Sequence, residues 1–129
     1  MSLGYGGYCI KQCESEHEVY FNYGVYNWND NTIDDTILDG IICIVKDNLV
    51  KARKREKKVN KRLRVDFVKQ EYDIGDYLRN GDIQIICSSQ CFRKCSDLDT
   101  DYVALALCHN ILDDYQFNER FKDKYTVNW

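Results

Sequence analysis

Two segments near the start of the chain, rich in apolar and aromatic residues, are separated by a short polar stretch. Residues 5–13 and 17–27 therefore each predict a β-strand, and the polar residues 14–16 predict the turn between them. In the second segment the apolar residues fall on one face at a period of two: Val19, Phe21, Tyr23 and Val25. We expect two strands joined by a short polar turn.

The central segment follows a helical spacing instead. Thr32 can cap the free amides that open a helix, and Asp34 and Asp35 suit the positive end of its dipole. Apolar residues then recur along one stripe: Ile33, Ile37, Ile41, Ile44, Val45 and Leu49. This spacing predicts a loop over residues 27–31 and an amphipathic helix from residue 32 to about residue 58.

Five shorter elements complete the expected order. They are a strand over residues 63–67, an extended stretch over 71–78, a strand over 83–87, a helix over 99–114 and a last strand over 124–129. The helix is expected to bury Tyr102, Leu105, Ala106, Ile111 and Leu112. Strands and helices in this order predict an α+β fold.

Length and charge limit the class of protein. A chain of 129 residues is large enough for one domain with a single core but not for two. The formal net charge of −3 argues against a general nucleic-acid binder. No apolar run approaches the roughly 20 residues that span a bilayer. We therefore expect a globular protein without a nucleic-acid or membrane partner.

The seven cysteines are odd in number, and no recognisable secretion signal accompanies them. Thiols of this kind are normally reduced inside a cell, which predicts a cytoplasmic location. Cys9-x3-Cys13 and Cys87-x3-Cys91-x3-Cys95 are spaced more widely than the Cys-x2-Cys knuckles of zinc sites. The pattern favours buried or half-buried apolar cysteines over a metal cluster.

Two other groups of titratable residues have simple explanations. Cys108 and His109 are adjacent on the second predicted helix and point about 100° apart, so they are not expected to form a nucleophile pair. The alternating acids of residues 97–101 resemble the opening of a calcium loop. Tyr102 stands where that loop needs glycine, which spoils the turn.

A strongly basic run covers residues 53–64, where eight of twelve residues are Lys or Arg and only Glu56 opposes them. One interpretation is a solvated helix end and linker, with cations favourably placed at the helix C-terminus. The other is a docking patch for an acidic partner, or a nuclear-import signal. The candidate contact residues are Arg53, Lys54, Arg55, Lys57, Lys58, Lys61 and Arg62.

Three short segments carry a family resemblance. Residues 23–30 read Tyr-Gly-Val-Tyr-Asn-Trp-Asn-Asp, residues 82–90 read Asp-Ile-Gln-Ile-Ile-Cys-Ser-Ser-Gln, and residues 123–127 read Asp-Lys-Tyr-Thr-Val. In this order they resemble motifs of the metal-dependent serine/threonine phosphatases, the PPM or 2C-like family. Active members read G-V-F-D-G-H-G-G, D-x-x-[LIV]-[LIV]-A-S-D-G and D-N-x-T-V at these places. Their aspartates hold two divalent cations.

The resemblance, followed position by position, implies a degenerate metal site. Asn27 and Ser89 take the places of metal-binding aspartates, Trp28 and Gln90 replace the glycines beside them, and Asp123 is the one acid that remains. A neutral amide and a hydroxyl cannot supply the anionic oxygens that hard cations require. The resemblance therefore implies no catalytic residue, no bound metal and no cofactor.

The same resemblance implies a fold and a role. The fold would be a shortened α+β domain, an antiparallel β-sandwich flanked by helices, without the family's middle portion near residues 53–65. An inactive adaptor of the family, which activates a TGF-β-activated kinase, carries asparagine in a similar Tyr-Gly-Val-Phe-Asn setting. The implied role is a catalytically inactive regulatory module that binds another protein, with a kinase or its regulator as the partner class.

Trp28 and Gln90 are then expected, with the basic run, to contact that partner, because exposed tryptophan is common at interface hot spots. Two alternatives stay open. In the first, the chain is a small immunity or inhibitor-type α+β protein unrelated to phosphatases. In the second, it is an active metal-dependent phosphatase that uses acids outside the three segments.

Overall fold

The computed structural model describes residues 3–129. In chain order its elements are β1 (Tyr5–Glu14), β2 (Glu18–Asn27), β3 (Gly40–Val45), β4 (Arg53–Val59), β5 (Arg62–Val68), α1 (Ile74–Asn80), β6 (Ile83–Ile86), β7 (Lys94–Cys95), β8 (Thr100–Asp101), α2 (Tyr102–Asn118) and β9 (Lys124–Asn128). Five strands form one antiparallel sheet in the order β6-β3-β2-β1-β9. Strands β4 and β5 form a separate hairpin, and β7 and β8 form a short ribbon. The predicted α+β class is confirmed.

The apolar face of β2 forms the centre of the core. Its four alternating residues, Val19, Phe21, Tyr23 and Val25, are fully buried, as their period of two indicates. Helix α2 packs across β1 and β9, and α1 packs against β6 and α2. The approach of α2 is close at Gly7, where an added Cβ would lie 2.4 Å from Cγ1 of Val103. Glycine at this position therefore lets the helix sit on the sheet.

The predicted helix over residues 32–58 is wrong. Residues 40–45 form β3, which pairs with β2 and places Ile42 opposite Phe21 and Ile44 opposite Val19. The stretch contains four β-branched residues in six, which favours a strand over a helix. Thr32 does not cap a helix, since its amide and hydroxyl both donate to Oδ1 of Asp30 in a local turn.

The second departure concerns residues 71–78, where we expected an extended stretch. Residues 74–80 form α1 instead. Asp73 caps this helix by accepting a hydrogen bond from the Gly75 amide at 2.9 Å, and Gly81 ends it with a left-handed φ of 80°. The capping aspartate and the terminal glycine are ordinary helix signals that the apolar spacing did not indicate.

The described residues do not form the two stacked sheets of a sandwich. A loop over residues 28–39 lies across part of the outer face of the five-stranded sheet. Tyr8 donates its hydroxyl to the Asp35 carbonyl at 2.8 Å, and Asn22 donates to the Leu38 carbonyl at 3.3 Å. A Cβ at Gly24 would lie 2.3 Å from a loop carbonyl oxygen. The loop thus occupies the face on which a second sheet would have packed.

The β4–β5 hairpin is attached to the body through its base. Gln116 of α2, only 2% exposed, accepts from the Gln70 amide at 2.8 Å and donates to the Gln70 carbonyl at 2.9 Å. The backbone carbonyl of Gln116 also accepts from the amide of Ala52. The buried side chain of Gln116 therefore holds the segment after β5, and the backbone of the same residue holds the segment before β4.

Candidate functional site

The three positions that the family resemblance compares with metal-binding aspartates lie at different places on the sheet. Asn27 pairs with Tyr5 at one end of β1, whereas the Asp123 carbonyl accepts from the Lys11 amide six residues further along that strand. At about 3.3 Å per residue this register separates Asn27 from Asp123 by roughly 20 Å. Ser89 lies near the Asn27 end, because it follows β6 and contacts Asp39 just before β3. The structure therefore does not bring Asp123 to the other two.

Ser89 is held by the carboxylate of Asp39. Its hydroxyl and amide both donate to Asp39, and the hydroxyl of buried Ser88 donates to the same carboxylate at 2.7 Å. The hydroxyls of Ser89 and Ser88 lower the pKa of Asp39 below its ordinary value, because they stabilise the charged form. This arrangement ties the segment after β6 to the segment before β3.

This contact should make stability depend on pH. The pKa of Asp39 is lowered in the folded state, so its contribution is present above the unfolded pKa of about 3.9 and is lost as pH falls through the folded value. We expect the Asp39→Asn variant to show a shallower loss of stability than the unchanged protein between about pH 5 and pH 3. Urea unfolding at several pH values measures this slope. Asp97→Asn, at an exposed aspartate, is the matched control and should keep the steeper loss.

Trp28 and Gln90, the two residues expected to contact a partner beside the basic run, have different environments. Trp28 is 75% exposed and stacks on Tyr26 with ring centroids 5.4 Å apart. The side-chain amide of Gln90 accepts from the Asp34 amide and donates to the Asp34 carbonyl, both at 2.7 Å. Trp28 is therefore accessible to a partner, whereas Gln90 is engaged in holding the loop over residues 28–39. A concavity of about 600 Å³ lies between Trp28 and the acids of this loop.

The sequence pattern did not predict a buried polar cluster that joins Tyr23, Asp101 and Ser88. The Tyr23 hydroxyl donates to Oδ2 of Asp101 at 2.7 Å and accepts from the Ser88 amide at 2.8 Å. Asp101 is fully buried and caps α2 by accepting from the Val103 amide at 2.9 Å. Burial and then the hydrogen bond to Asp101 raise the pKa of Tyr23 well above its ordinary value. An aspartate directly before a helical pattern was the available signal for the cap.

The structure does not pair the buried Cys108 with His109. All seven cysteines are unpaired, and Cys9 and Cys108 are buried. Burial raises the pKa of Cys9 to about 12, which keeps the thiol protonated at neutral pH. His109 faces the Tyr72 hydroxyl, 3.2 Å from its Nδ1, and not Cys108. Within residues 3–129, the His, Cys, Asp and Glu side chains form no group of three that could hold a metal ion.

The other candidate site is the β4–β5 hairpin, which carries every residue of the predicted basic patch. Its candidate contact residues are all exposed: Arg53, Lys54, Arg55, Lys57, Lys58, Lys61 and Arg62. Residues 53–68 contain eight Lys or Arg and two acids, a formal charge of +6. Since the whole chain carries −3, the rest of it carries −9. The hairpin is therefore a basic arm on an acidic body.

The hairpin contains few acids to neutralise these cations. Asp66 lies 3.5 Å from Arg64 and 3.8 Å from Arg55, and Glu56 lies 3.5 Å from Lys54. The other cations of the hairpin form no ion pair with any described residue: Arg53, Lys57, Lys58, Lys61 and Arg62. Lys57 stands directly opposite Arg64, and like charges so placed destabilise an isolated ribbon. An anionic partner would remove this repulsion.

The two faces of the hairpin differ in chemistry. Residues paired across an antiparallel ribbon point to the same face, so one face groups five cations with Asp66: Arg53, Arg55, Lys57, Arg62 and Arg64. The opposite face carries an apolar column in which Leu63 is 61%, Val65 42% and Phe67 62% exposed. Lys54 and Lys58 flank this column on β4.

This is a small α+β domain with one five-stranded sheet, a buried polar cluster and a protruding two-faced hairpin. Comparisons with protein-family models, with curated proteins and with solved structures each give no match for the chain. Neither α1 nor α2, the helices of the described residues, is long and apolar enough to cross a membrane.

Proposed function

We propose that this chain is a non-catalytic protein-binding module and that the β4–β5 hairpin is its contact surface for an acidic partner. The observation that carries the proposal is the concentration of charge, with +6 on 16 exposed or half-exposed residues and few acids within reach. Complementary charge raises association rates and selects partners. The contacts of Gln116 attach the base of this hairpin to α2.

The solvated helix end, the other interpretation of the basic run, loses its support because these residues form strands. No helix dipole stabilises the cations at this place, and the pairing of Lys57 with Arg64 is unfavourable by itself. A partner surface accounts for the arrangement, whereas a linker does not. We extend the proposal to a regulatory role in the cytoplasm, with a kinase or its regulator as one partner class.

The absence of catalysis is part of the proposal. The Asn27 side chain has no anionic oxygen, and Ser89 is already hydrogen-bonded to Asp39. Asp123 lies towards the other end of β1 from Asn27. A binuclear centre needs several carboxylates around one point to deprotonate water near neutral pH. Descent from the phosphatase family remains a prediction that rests on the three sequence segments alone.

The second candidate function is an immunity or inhibitor-type protein that masks a basic target. It is favoured by the acidic loop beside the exposed Trp28, where Asp30, Asp34 and Asp35 line one concavity. An aromatic anchor surrounded by acids suits a basic surface. In that case the loop over residues 28–39 would make the contact and the hairpin would not.

Defined probes test the proposed surface. Binding of polyglutamate, a DNA duplex and phosphatidylserine vesicles is measured by fluorescence anisotropy or sedimentation at increasing salt concentration. The triple variant Lys57→Gln, Lys58→Gln and Arg62→Gln is expected to lose about tenfold in affinity for polyglutamate. The control triple Lys94→Gln, Arg120→Gln and Lys122→Gln removes the same charge from exposed sites on the body, and we expect it to lose less than about twofold.

Two outcomes would contradict the proposal. Tighter binding of the duplex or the vesicles than of polyglutamate would assign the hairpin to another class of partner. Hydrolysis of an aryl phosphate in the presence of manganese, abolished by Ser89→Ala, would show that the chain is an enzyme.

A further inference from the structure

The outer edge of β5 is open for pairing. Among the described residues, β5 pairs with β4 and with no other strand. The hairpin turns at Asn60 and Lys61, whose φ angles of 52° and 64° fit a two-residue type I′ turn. In such a turn the flanking residues Val59 and Arg62 are a hydrogen-bonded pair. Since such pairs alternate along the ribbon, the backbone groups of Leu63, Val65 and Phe67 point away from β4.

The side chains along this edge are self-complementary. Antiparallel pairing of β5 with β5 of a second copy about Val65 places Val65 opposite itself, Leu63 opposite Phe67 and Arg64 opposite Asp66. All three outward-pointing backbone positions then form hydrogen-bonded pairs, because each of them meets another. The two charged pairs lie on the cationic face, and six apolar side chains meet on the other face.

We propose that this chain forms a two-fold symmetric dimer in which the β5 strands of two copies pair about Val65 and join two hairpins into one four-stranded sheet. This inference goes beyond the proposed function and does not depend on it. The contact is isologous, as in most homodimers, because both copies use the same strand. One face of the joined sheet would carry the cations of both copies and so widen the surface offered to an acidic partner.

The charges favour one register. A shift by two residues in one direction places Arg64 opposite Arg64 on the two-fold axis, although it also places Arg62 opposite Asp66. A shift in the other direction places Asp66 opposite Asp66. Like charges directly opposite one another destabilise a ribbon. A shift by one residue places the apolar column of one copy beside the charged face of the other. Pairing about Val65 keeps the faces matched and, unlike either two-residue shift, places no like charges of β5 opposite one another.

The edge lacks two of the devices that prevent such pairing, proline and a bulge, and its charges are of both signs. Strand β5 contains no proline and no lysine, and its pairing with β4 shows no bulge. The interface is nevertheless small, with one seven-residue strand from each copy, and the two arms repel through their net charge. We therefore expect the dissociation constant of the dimer to be micromolar or higher. Higher salt should strengthen the dimer by screening this repulsion, whereas it should weaken binding to an acidic partner.

A charge-exchange experiment tests the register. Sedimentation velocity of the full chain from about 5 µM to about 500 µM is expected to show a monomer–dimer equilibrium. Arg64→Asp alone places acids opposite acids, and Asp66→Arg alone places arginines opposite arginines, so each variant should dimerise at least about tenfold more weakly. An equimolar mixture of the two variants should recover the dimer, because the two acids of one chain then face the two arginines of the other. The double variant Arg64→Asp, Asp66→Arg should recover it as well.

The recovery controls for misfolding, since a damaged hairpin would not regain pairing on mixing. Val65→Lys, on the two-fold axis, should abolish the dimer in every background. The proposal is overturned if the unchanged chain is monomeric throughout this range, or if it dimerises and the single variants dimerise as well as it does. The two proposals can fail separately. If the triple variant of the proposed function binds polyglutamate as well as the unchanged chain does, the proposed function fails and the dimer is unaffected.

Discussion

Replacing Asp101 with alanine is expected to lower the free energy of unfolding by about 3 kcal/mol, from loss of a helix cap worth about 1 kcal/mol and from a buried hydroxyl left without its acceptor at about 1–3 kcal/mol. Asp101 accepts from Tyr23 and from the Val103 amide and is fully buried. The substitution removes both contacts at once. Chemical denaturation followed by circular dichroism measures the change.

Tyr23→Phe separates the two contributions. It removes the hydroxyl but leaves the helix cap, so it is expected to cost less than Asp101→Ala. The double variant should lose less unfolding free energy than the sum of the losses of the two single variants, because both substitutions remove the same hydrogen bond. Asp97→Ala, at an exposed aspartate, is the control and should change stability by less than about 0.5 kcal/mol. A loss of the same size in the control would show that burial of Asp101 is not the cause.

Replacing Gln116 with leucine is expected to destabilise the attachment of the hairpin by about 2 kcal/mol, because the Gln70 amide and carbonyl lose a buried partner. Leucine has a similar volume, so the substitution tests the hydrogen bonds without leaving a large cavity. Native-state hydrogen exchange should show faster exchange of the Gln70 amide, while the amides of β2 keep most of their protection.

Asn118→Leu on the same helix provides the comparison, since Asn118 is exposed and bonds only within α2. It should leave the exchange of Gln70 unchanged. Equal exchange at Gln70 in the Gln116 variant and in the unchanged protein would show that the hairpin is held by other contacts. These include the bond from the Ala52 amide to the Gln116 carbonyl and the ion pair between Lys69 and Asp113.

The elements whose apolar pattern fits one period were predicted correctly. Strands near residues 5–14, 18–27, 62–68 and 124–128 are confirmed, and the second predicted helix corresponds to α2. Ile41 and Ile44 fit a helical stripe, whereas Ile42 and Ile44 fit a strand face, and the sequence alone does not decide between them. The deciding interaction is pairing with Phe21 and Val19 of β2, which lie more than 20 residues away.

The candidate site divides in the same way between local and long-range information. The neutral character of Asn27 and Ser89 and the basic run can be read from single positions. The distance between Asn27 and Asp123 depends on the β1–β2 and β1–β9 registers, which no local pattern gives. Gln116 carried no signal at all, because a single glutamine on a helix face is usually solvated.

The hairpin projects from the body, and its paired residues are exposed or half-exposed. Substitutions at its tip and along its strands therefore touch few atoms of the hydrophobic core. Recognition and folding can change independently in such an architecture. If the hairpin is the contact surface, a different ribbon grafted between Ala52 and Lys69 would change the partner and leave the buried core residues in place.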